Sequence, residues 1–252
     1  MRSRKGFTLV ELLVVIGIIA LLISILLPTL NKVKASARTL KCLASLRQWG
    51  MAQASYVGEC KAWAVPDIQG VSAPVNVRTR WSNNNQFRKA LGIQEHHVGF
   101  GTSNRVPLEL LCPEASKAIA QANKVGGQAQ FSYGYNIVNM LVLPPGATGM
   151  AIEFRGIKAT KVHNAAAKLM FADAMDFQVN RAHSDDYLKV PGADDLRPGG
   201  DSEYVAFRHG GKVNVLFWDG HASTLQRNEV AAKDSTSPLW QTLWNPTFNP
   251  LK

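Results

Sequence analysis

Little in this chain offers ready-made chemistry. Cysteine is scarce, with only Cys42, Cys60 and Cys112 among 252 residues. They form no C-x-x-C pair, and no spacing resembles a zinc motif. An odd count permits one bridge and one free thiol, with three pairings open. Cys60 with Cys112 is the preferred expectation, because Cys42 falls inside a long predicted helix. Also missing are a G-x-S-x-G turn, a phosphate-binding P-loop, an H-E-x-x-H helix and a glycine-rich dinucleotide fingerprint. Ser, His and Asp are numerous, but none has a local setting that suggests a nucleophile, so no enzyme is expected. The net charge is +10, with 18% charged residues. Yet there is no long block of like charges and no zinc-finger or RNA-binding signature. A surface of solvated lysines accounts for the excess, and nucleic acid is not an expected partner.

The sharpest absence is local. From Phe7 to Leu27, a run of 21 residues, Glu11 is the only charged side chain. As a helix this run reaches roughly 31 Å, enough to cross a hydrocarbon core. A carboxylate inside such a span costs on the order of 2.5–3.5 kcal/mol and needs a partner. A basic leader, Met1 to Gly6, precedes the run, and Pro28 closes it. A cut after Gly6 frees the amine of Phe7, a cation that Glu11 of the same or a neighbouring chain can meet. An ordinary secretory signal has an apolar core of about 7–15 residues, shorter than this one, although Ala35-Ser36-Ala37 mimics its cleavage site. A plain anchor explains the length but neither Glu11 nor the Gly6-Phe7 junction. Basic residues flank the span on both sides (Arg2, Arg4 and Lys5 before; Lys32, Lys34, Arg38, Lys41 and Arg47 after). Charge alone therefore leaves the orientation open.

The run Lys5-Gly6-Phe7-Thr8-Leu9-Val10-Glu11-Leu12 resembles the type III signal of type IV pilins and type II secretion pseudopilins. The resemblance implies that a prepilin peptidase cuts after Gly6 and N-methylates Phe7. It also makes Glu11 the glutamate at the fifth mature position and Pro28 the helix-kinking proline. It places a cytoplasmic leader (1–6) before a single span of the inner membrane, with the rest of the chain extracytoplasmic and carried to the cell surface after assembly. The implied partners are the peptidase, identical or related subunits, the membrane and a secretion or pilus assembly platform. Exported cysteines would lie in a disulfide-permissive space.

Beyond Pro28 the helix is expected to continue, because Leu30, Val33, Ala37, Leu40 and Ala44 recur at helical spacing and the pattern fades near Gly58. The expected fold is α+β. A long bent helix, with a membrane half (7–28) and an amphipathic half (29–58), packs on a globular domain (59–252) with an antiparallel sheet. Glu114–Asn123 reads as a short helix, Phe131–Asn136 and Lys168–Asp173 as strands, and Trp240 and Trp244 as a tail packing back on the domain. Tyr204–His209, Lys212–Trp218 and His221–Leu225 read as three strands of a meander (204–226), joined at Gly210-Gly211 and Asp219-Gly220. In that register His209 opposes Lys212 and His221 opposes Trp218, which sets the two histidines about 20 Å apart, too far to share a metal. His209, Asp219 and Gly220 also resemble the histidine-x9-aspartate-glycine segment of large pilin-like proteins abundant in planctomycetes, as do Cys112-Pro113 and Tyr133-Gly134-Tyr135-Asn136. Turn chemistry is the favoured reading, with the histidine capping a turn.

The stretch from Asp173 to Glu203 concentrates eight of the 18 acidic residues. Asp173, Asp176, Asp185, Asp186, Asp194 and Asp195 are candidate calcium ligands, and the pseudopilin resemblance encourages that reading. A solvated acidic loop is the alternative, the spacing fits no EF-hand, and no other cofactor is expected. The favoured function is a structural subunit of a type II secretion pseudopilus or related pilus-like assembly. The competing reading is a membrane-anchored extracytoplasmic module binding glycan, calcium or protein.

Overall fold

The computed structural model describes residues 9–69, 81–93, 105–122, 126–138, 153–175, 178–180, 184, 187, 204–232 and 237–249. Gly6 and Phe7 lie outside them, as do Asp176, Asp185, Asp186, Asp194 and Asp195. A single helix, α1, runs from Leu9 to Glu59 with Pro28 inside it. The chain forms two compact units, Met1–Arg38 and Thr39–Lys252.

In the first unit, the described residues are helical and exposed. Their apolar side chains, from Leu9 at 75% exposure to Val33 at 64%, meet no protein core. The helix is long and apolar enough to cross a membrane.

The second unit begins with the C-terminal part of α1. The expected stripe through Leu40 and Ala44 is not the packed one, since both residues are exposed. The buried positions are Cys42, Ser45, Leu46, Trp49, Gly50, Ala52, Gln53 and Tyr56. Five of these eight are small or polar, so hydropathy alone does not mark the face. Beyond Glu59 the chain leaves the helix through Lys61 and Ala62, both at positive φ (51° and 66°). The Ala62 amide donates to the Val57 carbonyl and closes the helix end.

The sheet against this helix has five described strands in the order β7-β4-β6-β8-β9. They are β4 (Tyr133–Asn136), β6 (Leu169–Asp173), β7 (Gln178–Val179), β8 (Val213–Phe217) and β9 (Ala222–Leu225). Neighbours pair antiparallel except β4 and β7, which are parallel. Two short pairs lie outside it, β1 (Asp67–Gln69) with β5 (Glu153–Arg155) and β2 (Arg105–Val106) with β3 (Gly127–Gln128). Short helices α2 (Asn85–Ala90), α3 (Ser116–Ala120) and α4 (Arg227–Val230) complete the set. The fold is α+β, as expected.

Alternation along the strands builds two cores. Leu216, Phe171, Tyr133 and Tyr135 join Cys42, Leu46 and Trp49 of α1. Val213, Val215 and Phe217 join Leu169, Val230, Leu243 and Trp244 in the other. Trp49 centres the first, with ring centroids 5.2 Å from Trp81, 5.9 Å from Phe87 and 6.1 Å from Tyr133. The tail packs back as expected, with the buried Trp244 Nε1 donating to the Val230 carbonyl.

The meander is corrected in two ways. Residues 204–209 form no strand beside β8, because β6 occupies that edge. Their backbone pairs with the sheet at one isolated bridge, Val205 to Ala174. The second hairpin is also shifted by one residue. Leu216 pairs with Ala222, and the Phe217 amide donates to the His221 carbonyl, so His221 opposes Phe217 rather than Trp218. The extra turn residue is accommodated at Gly220, with φ +91°.

Candidate functional site

Burial places four distant residues in one pocket of side chains. Cys42 faces inward from α1, and Cys112 follows the 3₁₀ turn Leu108–Leu110. Asp173 ends β6, and His209 enters the Gly210-Gly211 turn before β8. One donor atom from each lies within 4.8 Å of all the others, and all four residues are buried.

The contacts are specific. Cys42 Sγ donates to Asp173 Oδ1 at 3.3 Å. His209 Nε2 lies 3.1 Å from Asp173 Oδ2 and 3.4 Å from Cys112 Sγ. The other ring nitrogen, Nδ1, lies 3.2 Å from Thr39 Oγ1 and 3.6 Å from Glu114 Oε2. Asp173 Oδ2 also accepts the Asn214 amide at 2.9 Å, and Tyr133 OH lies 3.3 Å from Cys42 Sγ. The Cys112 amide donates to Ser132 Oγ at 2.8 Å, which fixes the loop that carries the thiol. Arg208, beside His209 in sequence, donates to the carbonyls of Phe131, Ser132 and Ala174 and so pins the turn to the sheet.

The electrostatics follow from this packing. Burial opposes a charge on His209, but its hydrogen bonds to Asp173 and Cys112 outweigh that and hold its pKa up at about 10. Burial, the Cys112 hydrogen bond and the Asp173 charge push the Cys42 thiol well up. Cys112 moves the other way: burial raises it, but hydrogen bonds with Cys42 and His209 and the Arg208 charge bring it below its ordinary value. The two thiols are therefore inequivalent, and the imidazolium balances the carboxylate.

Several expectations change here. His209 does begin the two-residue turn, its amide and carbonyl bonding those of Lys212. Its ring, however, caps nothing and points into the cluster. Asp173, one of the candidate calcium ligands, sits among sulfur and nitrogen donors, whereas calcium favours oxygen. The cysteines are free thiols. Cys112 sits with Cys42, not with Cys60, whose thiol donates to Gln86 Oε1. The helical position that argued against Cys42 is the one that turns it into the core.

Asp219 and Gly220 lie in the turn between β8 and β9. The Asp219 carboxylate accepts the His221 amide at 3.1 Å and lies 2.6 Å from its Nδ1. Partial burial works against the charge, but these bonds hold the Asp219 pKa below its ordinary value. Gly220 passes close to α1, where a Cβ on Gly50 would lie 3.4 Å from the Gly220 Cα. Asp219 and Gly220 thus set the β8–β9 turn beneath the helix, away from the cluster.

Glu11 is exposed on α1, four residues after Phe7. Pro28 lies mid-helix, where it contributes no amide to the backbone ladder. Residues 1–27 match the family model of the prokaryotic N-terminal methylation motif. No curated protein and no solved structure matches the chain. The N-terminus therefore carries a prepilin-type signal of the type IV pilin-like kind, which implies processing by a prepilin peptidase and assembly with other pilin subunits. Its apolar helix fits membrane anchoring.

Proposed function

We propose that the chain is a prepilin-like structural subunit, cut between Gly6 and Phe7. Its N-terminal helix assembles it into a type II secretion pseudopilus or a related surface filament. The observation that carries this reading is the methylation motif leading into a helix whose apolar residues from Leu9 to Val33 are exposed and meet no core of their own. Such a surface leaves water only in a membrane or against other helices. In the filament, Glu11 pairs with a Phe7 amine, which offsets its burial and sets the axial register. The work is assembly rather than catalysis. The H-x9-DG segment and Cys112-Pro113 favour the large planctomycete-type branch.

Intact mass and N-terminal sequencing of the protein from native membranes test this. A mature chain starting at N-methyl-Phe7 is expected. An unprocessed Met1, or a start at Arg38, overturns it in favour of a tethered or secreted binding domain.

A further inference from the structure

We infer that Cys42, Cys112, Asp173 and His209 form a closed four-coordinate zinc site that clamps the Thr39–Glu59 segment of α1 to the sheet. This goes beyond the assembly reading and stands independently of it.

The donor spacing is the first argument. A tetrahedral zinc, with bonds of about 2.3 Å to sulfur and about 2.0–2.1 Å to nitrogen or oxygen, has ligand–ligand edges of roughly 3.3–3.8 Å. His209 Nε2 lies 3.1 Å from Asp173 Oδ2 and 3.4 Å from Cys112 Sγ, within a few tenths of an ångström of such edges, while Cys42 Sγ lies 3.3 Å from the other Asp173 oxygen. One donor atom from each residue lies within 4.8 Å of the others, so an ion would draw the wider pairs inward by up to about an ångström.

Orientation is the second. His209 turns Nε2 toward Asp173 and Cys112 and Nδ1 toward Thr39 and Glu114. An imidazole that ligates through one nitrogen while an oxygen partner holds the other is the usual arrangement around metal-bound histidine. Asp173 is held by the Asn214 amide, and Cys42 is in contact with Tyr133 OH. Each of these contacts leaves its ligand room for one inward bond.

The third is chemistry and burial. Two sulfurs, a nitrogen and a carboxylate oxygen suit zinc and are wrong for calcium or magnesium. All four positions come from the protein and all are buried, so the site has no open place for substrate and is structural. Binding displaces the thiol protons and the second imidazole proton, and the ion takes over the balancing charge. The ligands come from a helix, a loop, a strand end and a turn, spread from residue 42 to 209. The ion would hold together segments that no disulfide between two of them could.

The test uses the full chain purified in detergent under reducing conditions, with elemental analysis and intact mass. One zinc per chain is expected, retained in Cys60→Ser and lost in Cys112→Ser and His209→Asn. Glu114→Gln should keep the zinc but bind it about tenfold more weakly. In case the ligand variants fail to fold, chelated wild-type protein is reloaded with cobalt. Intense visible bands of a tetrahedral ion, with a thiolate-to-cobalt charge-transfer band, support the site. A Cys42–Cys112 disulfide, seen in chain prepared without reductant as a mass two hydrogens short and a single reactive thiol, overturns it. So does a fully reduced chain that takes up neither zinc nor cobalt, or zinc that persists when both Cys42 and Cys112 are replaced by serine.

Discussion

Trp49 is in contact with Trp81, Phe87, Tyr133 and Phe171, and its Nε1 donates to the Leu110 carbonyl at 2.9 Å. Truncating it empties the centre of the helix-side core and orphans a buried carbonyl. Trp49→Ala should therefore cost about 3–5 kcal/mol, measured by urea unfolding. Lys168 makes a different kind of demand. It is 1% exposed, its ammonium donates to the Gln241 carbonyl, and burial lowers its pKa to about 8. The unfolded chain, with a lysine pKa near ~10.4, holds this proton over a range where the folded one has released it. Stability from this residue should therefore rise with pH between about 8 and 10, with a slope approaching ~1.4 kcal/mol per pH unit. Lys168→Met should flatten that slope relative to wild type in paired melts across the range. An unchanged slope would mean that the ammonium is better solvated than its burial implies.

At the scale of elements, the packed face of α1 follows Cys42, Leu46, Trp49, Gln53 and Tyr56, in steps of four and three. Leu40, although apolar, is 66% exposed. Leu46→Ala should cost about 2–5 kcal/mol, and Leu40→Ala should stay within about 0.5 kcal/mol by the same denaturation assay. The β8–β9 turn depends on backbone shape. Gly220 sits at φ +91° with open space where a Cβ would go. Gly220→Ala therefore meets strain without a clash and should cost about 1–2 kcal/mol, read from the thermal midpoint. This helix was legible in its length and end but not in its face, because Cys42, Ser45, Gly50 and Gln53 carry too little hydropathy to mark it. The strand signal over Leu169–Asp173 was clear because all five residues are buried between two cores.

For the whole molecule, the chain divides into Met1–Arg38 and Thr39–Lys252, and the proposed assembly role falls to the first. Glu11 lies in the first unit and every ring of the Trp49 cluster in the second. Glu11→Ala should leave the thermal midpoint unchanged while filaments are lost from sheared cell fractions. A lowered midpoint would show that Glu11 supports the fold instead. Gly6→Ala should accumulate uncut chains, visible as a mass that still includes the leader.

The sequence by itself determined the features that depend on neighbours along the chain. These are the prepilin-type N-terminal motif, the apolar span with one carboxylate, the long helix, the α+β class and the glycine turns. Each is written in contiguous residues, because length, period and φ preference are local properties. Only the tertiary structure decided which helix face is buried, that β6 rather than residues 204–209 lies beside β8, and that Cys42, Cys112, Asp173 and His209 meet. Those four come from separate segments, so no spacing announces them. The one local hint was an acid ending a fully buried strand, since a buried carboxylate needs a partner and its partners are chosen by the fold.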